Sequence, residues 1–172
     1  MPRQTIMCNV NAGKSLELKK PSVPAQPSLY LQDYVVALVL NETREALVWV
    51  HEKPGGGTYW QMMERYLQPG EEPFTAVQQT LLMQTGRQTS QWVYLGSHVV
   101  DASQPAGVGY FFCAKQTSPS VPKLQTKELC KPQAACPKWV PLNDLRYALL
   151  DGRLAVANHA LVVSLAFLTF LK

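Results

Sequence analysis

Residues Arg65–Arg87 read RYLQPGEEPFTAVQQTLLMQTGR, and the order of turn, cap, helix and stop in them decides how the chain is organised. Gln68-Pro69-Gly70 is a turn tripeptide. Glu71-Glu72-Pro73 then opens a helix. Proline suits the first helical position, where its missing N–H costs nothing, and carboxylates sit well at the positive end of the helix dipole. The helix runs to Thr85, and Gly86 supplies its stop. Phe74, Val77 and Leu81 recur at the spacing of one buried stripe and read as core.

Outward from this segment the chain alternates strand and turn. Tyr34–Leu40 (YVVALVL) is an unbroken apolar run rich in β-branched residues and reads as a strand. A polar turn over 41–45 leads to its hairpin partner, Ala46–His51. A Gly-rich loop over 53–57 precedes a short strand at Tyr59–Met63. Downstream, Trp92–Leu95 and His98–Val100 read as strand pieces and Val108–Lys115 as a strong strand. Gln116–Pro137 is polar and Pro-rich and reads as a long surface loop. Lys138–Val140 is a short strand, and Leu142–Leu150 and Arg153–Leu171 are helices parted by Asp151-Gly152. Pro21, Pro24 and Pro27 mark residues 1–29 as an N-terminal extension and linker, which leaves 30–172 as one domain. Strands, helix, strands and then helices make an α+β fold.

Composition narrows the function classes. The 172 residues suit one domain, and 16% charged residues is light against a usual ~25%. The net charge of +4 is too mild to imply nucleic-acid binding. Lys115, Lys123, Lys127, Lys131 and Lys138 make the long loop basic, but no aromatic residues are interleaved to stack on bases. Cys8, Cys113, Cys130 and Cys136 are too few and scattered for a disulfide scaffold, so Cys130 and Cys136 read as free thiols. Gly13-Lys14-Ser15 lacks the upstream glycine of a phosphate-binding loop, because Cys8 stands there. His51, His98 and His159 are scattered and read as structural.

No secretory signal is visible in residues 1–20. The expected setting is cytoplasmic, with mitochondrial or nuclear placement left open. Leu154–Leu171 (LAVANHALVVSLAFLTFL) approaches the length of a membrane span, but Asn158 and His159 interrupt it. The clean run Ala160–Leu171 is short for a span, so the segment is expected to be a helix buried in the domain.

The frame of residues 65–87 resembles the Nudix box, which runs Gly-x5-Glu-x7-Arg-Glu-U-x-Glu-Glu-x-Gly-U, with U aliphatic. Laid on without gaps, its first glutamate falls on Glu71, its aliphatic on Leu81 and its late glycine on Gly86. Trp139–Leu145 (WVPLNDL), Asp151-Gly152-Arg153 and the terminal helix resemble the ADP-ribose pyrophosphatase branch, over residues 30–172. The resemblance implies a Nudix-type α/β/α sandwich with a mixed β-sheet. For active members it implies Mg²⁺-dependent cleavage of a nucleoside diphosphate-X pyrophosphate bond.

The departures carry the functional expectation. The opening glycine is Arg65, the Arg-Glu pair is Gln79-Thr80, and the Glu-Glu pair is Met83-Gln84. Positions 80, 83 and 84 are spaced i, i+3, i+4 and are expected to share a helix face opposite the core stripe. Mg²⁺ requires hard oxygen ligands, and a hydroxyl, a thioether and an amide replace the three carboxylates. Glu71 and Glu72 remain as candidate metal contacts, although acidic residues also suit any first helical turn. Glu64, Arg65 and Asp101 are candidate ligand contacts. The expectation is a catalytically impaired protein that binds an ADP-ribose-like nucleoside diphosphate derivative, or a regulatory or interaction module with a protein partner or a second copy. The alternative is an active hydrolase with a displaced acid set, Glu64, Glu71, Glu72 and Asp101, and only that reading needs Mg²⁺.

Overall fold

The computed structural model describes residues 32–53, 55–99, 107–120 and 137–171. The N-terminal extension, Asp101, Cys8, Cys130, Cys136, Lys123, Lys127 and Lys131 lie outside the described residues.

Strand β1 (Tyr34–Asn41) runs through the middle of a mixed eight-stranded sheet. Its residues from Tyr34 to Leu40 are all buried, which explains the unbroken apolar run: a strand covered on both faces cannot alternate with polar residues. The period of two still sorts them. Tyr34, Val36, Leu38 and Leu40 enter one core layer, and Val35, Ala37 and Val39 enter the other.

The sheet is assembled around β1. Strand β2 (Ala46–Glu52) returns antiparallel, with Ala46 opposite Leu40. Strand β3 (Thr58–Gln61) pairs with the far half of β2, and β4 (Met63–Tyr66) pairs antiparallel with the first half of β1. Helix α1 (Pro73–Thr85) follows, then the short β5 (Arg87–Gln88), β6 (Gln91–Val99) and β7 (Val108–Pro119). Strand β7 lies parallel to β1 and antiparallel to β5 and β6. Strand β8 (Pro137–Val140) completes the near half of β2, before α2 (Leu142–Leu150) and α3 (Ala157–Thr169). Helix α1 packs on one side of the sheet, while α3 packs on β1, β6 and β7 and also against α2. The two core layers accordingly hold Ala76, Val77 and Leu81 on one side, and Leu145, Ala148, Val162, Val163 and Ala166 on the other. The architecture is the expected α/β/α sandwich with a mixed sheet.

Several elements differ from the expected boundaries. The segment read as one strand at Tyr59–Met63 divides into β3 and β4, which pair with different partners. Trp92–Leu95 and His98–Val100 belong to one strand through Val99, with a bulge between Tyr94 and Gly96. Strand β7 continues to Pro119, so Gln116–Pro119 is paired strand and not loop. The last helix begins at Ala157 and not Arg153. The Arg153 carbonyl accepts a hydrogen bond from the Trp60 N–H at 2.7 Å, and this ties the turn and bend over 151–154 to β3.

No helix among the described residues is long and apolar enough to cross a membrane. Helix α3 instead seats Val162, Val163 and Ala166, all fully buried, on the sheet. A chain ending at Gly152 would expose this whole core layer, and it should lose its cooperative thermal transition in circular dichroism. A sharp melt unchanged from the full chain would show that α3 is dispensable to the fold.

Candidate functional site

Glu71 and Glu72 are engaged in building the turn and the helix start. Gly70 allows a tight turn in which the Glu71 N–H donates to the Gln68 carbonyl at 3.0 Å. The Glu71 carboxylate accepts from the Gln68 N–H at 2.9 Å through one oxygen, and pairs with the Arg65 guanidinium through the other. The Gln68 N–H first, and Arg65 with it, hold the Glu71 carboxyl below the usual carboxylate range. Glu72 is the N-cap of α1: its carboxylate accepts from Thr75 N at 2.6 Å and Phe74 N at 2.9 Å. These two backbone donors, Thr75 foremost, lower its pKa as well. Pro73 follows at the start of the helix. Gly86, left-handed at φ 63°, donates to Leu82 O at 2.8 Å and closes the far end.

The remaining box positions do not form one solvent-facing set. The buried residues of α1 are Ala76, Val77, Thr80 and Leu81. Thr80 is 2% exposed, and its hydroxyl donates to the Ala76 carbonyl at 2.7 Å inside the core. Met83 is 72% exposed and Gln79 is exposed too. Gln84 is half-buried, and its amide donates across to the Glu64 carbonyl at 3.5 Å. Thr80, Met83 and Gln84 therefore fan from core to solvent. The expectation that this face is not needed for the core is corrected: Thr80 is part of the core. Phe74 is corrected in the opposite sense. It is 38% exposed and leans toward Trp92 and Phe112 at the edge of the sheet.

Glu64 and Arg65, adjacent on β4, point to opposite sides of the sheet. Arg65 reaches Glu71 on the α1 side. Glu64 faces α3, where its carboxylate lies 2.6 Å from His159 Nε2. His159 is buried in the first turn of α3, and among the described residues neither its Nδ1 nor the buried Arg65 Nε has a hydrogen-bond partner. The Tyr34 hydroxyl belongs to the same polar nest. Its pKa is raised by burial first and by Glu64 second, while Asn158 acts in the lowering direction. The Tyr34 ring lies so close over β7 that a Cβ at Gly109 would come within 2.5 Å of it, and a glycine there is what lets the ring sit down. The sequence presents Asn158 and His159 only as breaks in an apolar run. Their partner, Glu64, lies 95 residues away, and no local pattern joins them.

His51 stacks on Tyr59 and His98 packs against Phe111, both away from the box helix. Among the described residues no three His, Cys, Asp or Glu side chains converge as a metal site. The donor set at the box does not fit Mg²⁺. Thr80 turns its hydroxyl into its own helix, Met83 offers a soft thioether to solvent, and Gln84 presents N–H toward a carbonyl.

With this geometry in view, comparison with solved structures places the fold. A structure described as an ADP compounds hydrolase superposes with a TM-score of 0.61 at 15% identity, over 78% of this chain and 70% of that chain. A Nudix hydrolase from Nitrosomonas europaea gives 0.56 at 13% identity, over 80% of this chain and 89% of that one. By sequence, no protein-family model and no curated protein matches the chain. The chain has the fold of the Nudix hydrolases.

The burial of Thr80 generates a test. Thr80→Glu places a carboxylate in the core with no cation to meet it, and should cost at least ~3 kcal/mol in urea denaturation. Met83→Glu, at an exposed position, should stay within about 0.5 kcal/mol of the parent. Equal effects of the two changes would mean that Thr80 faces solvent.

Proposed function

We propose that this chain is a Nudix-fold protein in which the box persists as a structural element without its metal clamp, and which binds a nucleoside diphosphate derivative of the ADP-ribose type without turning it over. The observation that carries the reading is the engagement of the box itself. Glu71 closes the turn, Glu72 caps the helix, Thr80 is buried in the core, and Gln84 spans to the β4 backbone. Ordinary Nudix chemistry needs several carboxylates free to converge on a cation that would stabilise the charge of the diphosphate, and losing such stabilisation removes several kcal/mol from catalysis. The ligand class rests on the likeness to the ADP compounds hydrolase. A role as a regulatory or interaction module, alone or with a second copy, is compatible with the same loss of chemistry.

The competing reading is a hydrolase using Glu64, Glu71, Glu72 and Asp101. Glu64 is held by His159, Glu71 by Arg65 and Gln68, and Glu72 by its capping bonds, each with partners of its own. Asp101 lies outside the described residues. The deciding experiment incubates the protein with Mg²⁺ or Mn²⁺ and ADP-ribose, beside calorimetric titration of the same ligand. Saturable binding with no turnover is expected. Turnover near ~1 s⁻¹, the low end of ordinary enzymes, that disappears in Glu64→Gln or Glu71→Gln would overturn the proposal in favour of the displaced acid set. Absence of both binding and turnover would leave only the interaction-module role.

A further inference from the structure

On the α1 side of the sheet, the helix packs on β1, β4 and β5. Much of β6 and the neighbouring part of β7 stays open beside its first turn. Strand alternation brings Trp92 and Tyr94 of β6 to this face together with Tyr110 and Phe112 of β7. Tyr94 stands opposite Phe112 in the strand register, with ring centroids 5.3 Å apart. Phe74 leans in from α1, perpendicular to Trp92 at 5.9 Å and tilted toward Phe112 at 6.0 Å. The five rings line a cleft of about 480 Å³, within the range of small-molecule sites. Phe112, almost fully buried, is the floor, and Phe74 and Tyr94 are walls open to solvent.

Among the described residues one charged side chain, Glu72, lines this cleft. Its capping bonds to Thr75 and Phe74 keep it ionised. They leave acceptor capacity on the carboxylate, which has about four lone-pair sites. Among the described residues no Lys, Arg or His makes an ion pair with it. Among the described residues no Lys or Arg lies over the rings of the cleft either. Elsewhere Arg87 covers Trp139, Lys115 covers Phe170, Arg146 covers Phe167 and Arg153 covers Trp60, at 4.3–5.2 Å from the ring centroids. As the described residues line it, the cleft is thus an electron-rich aromatic surface with a negative rim.

Aromatic faces carry negative charge density and attract cations most when water is excluded. Among the described residues a phosphate finds no basic group in the cleft, and a neutral apolar guest brings no positive charge to the Glu72 carboxylate. The Trp92 N–H is already engaged by the Thr89 carbonyl at 3.2 Å and offers no donor to a guest. We propose that this cleft is a binding site for a small organic cation with an alkylated ammonium head; of the box residues it uses Glu72 and Phe74, at the start of α1. Gln84, at the other end of α1, lies about 15 Å further along the helix axis from Phe74. Choline and ADP-ribose are titrated separately, so failure of one reading is told apart from failure of the other.

Choline is the probe, titrated calorimetrically into the full chain, with 3,3-dimethyl-1-butanol as its uncharged isostere. Saturable choline binding in the millimolar range is expected, with the isostere at least ten-fold weaker. Tyr94→Ala, at an exposed wall, should weaken choline binding about five-fold, the equivalent of roughly 1 kcal/mol for one cation–ring contact, and Tyr94→Phe should restore it. Glu72→Gln keeps a side-chain oxygen for the cap and should weaken binding to a similar degree. Equal affinity for the isostere, no saturation with choline, or displacement of choline by adenosine would each overturn the assignment. A thermal melt of each variant matching the parent separates loss of the site from loss of the fold.

Discussion

Burial of β1 on both faces is the constraint from which the rest of the structure follows. Seven consecutive residues, Tyr34 to Leu40, are removed from water, and at about 1.5–3 kcal/mol for each large apolar side chain this is a dominant contribution to folding. A strand so placed needs partners on both edges and a cover on both faces. The edges are met by β2 and β4 on one side and by β7 on the other. The faces are met by α1 on one side and by the C-terminal helices on the other. The parallel pairing of β1 with β7 requires a crossover, and the crossover carries α1. The position of the box helix is thus a consequence of the sheet, independent of any metal it might hold.

This dependence explains how α1 keeps its place and shape without a cluster of carboxylates. The turn is closed by Glu71 with Arg65, the helix is started by Glu72 and Pro73 and stopped by Gly86, and its inner face packs through Ala76, Val77, Thr80 and Leu81. None of these contacts needs a cation. Three carboxylates clustered around a metal would repel one another in its absence. Thr80, Met83 and Gln84 carry no charge. On the opposite side of β4, Glu64 and His159 tie the first turn of α3 to the sheet across the second core layer, beside Tyr34.

Much of this was legible in the residues. The central strand announced itself as an apolar run, because a strand with no wet face cannot alternate. The ends of α1 were legible because capping is local: Glu72-Pro73 and Gly86 act on their own neighbours. Strand β4 was not legible. Met63–Tyr66 contains no β-branched residue, and it is a strand because β1 offers it an open edge. The start of α3 was misplaced for the same kind of reason, since a distant donor, Trp60 N–H, ties Arg153 to β3 ahead of the helix. Within the box, spacing placed positions 80, 83 and 84 near one another but could not say that Thr80 points inward. A hydroxyl can satisfy itself on the preceding turn and enter a core, which a carboxylate at the same position could do only at high cost. The aromatic cleft was invisible in sequence because its rings come from three elements, and Phe74 read as core.

The central claim is that the box helix is held by hydrogen bonds and packing and carries no divalent-cation site. Its most direct test is the thermal midpoint of the intact protein with added Mg²⁺, against NaCl at matched ionic strength. A site filled at a hundred times its Kd would add about 2.7 kcal/mol to the folded state, a rise of roughly 5–10 °C for a domain of this size. The account predicts no difference between the two salts. A midpoint raised by Mg²⁺ in the parent and unchanged by it in Glu71→Gln would contradict the account, and would show that the turn glutamate still serves a metal.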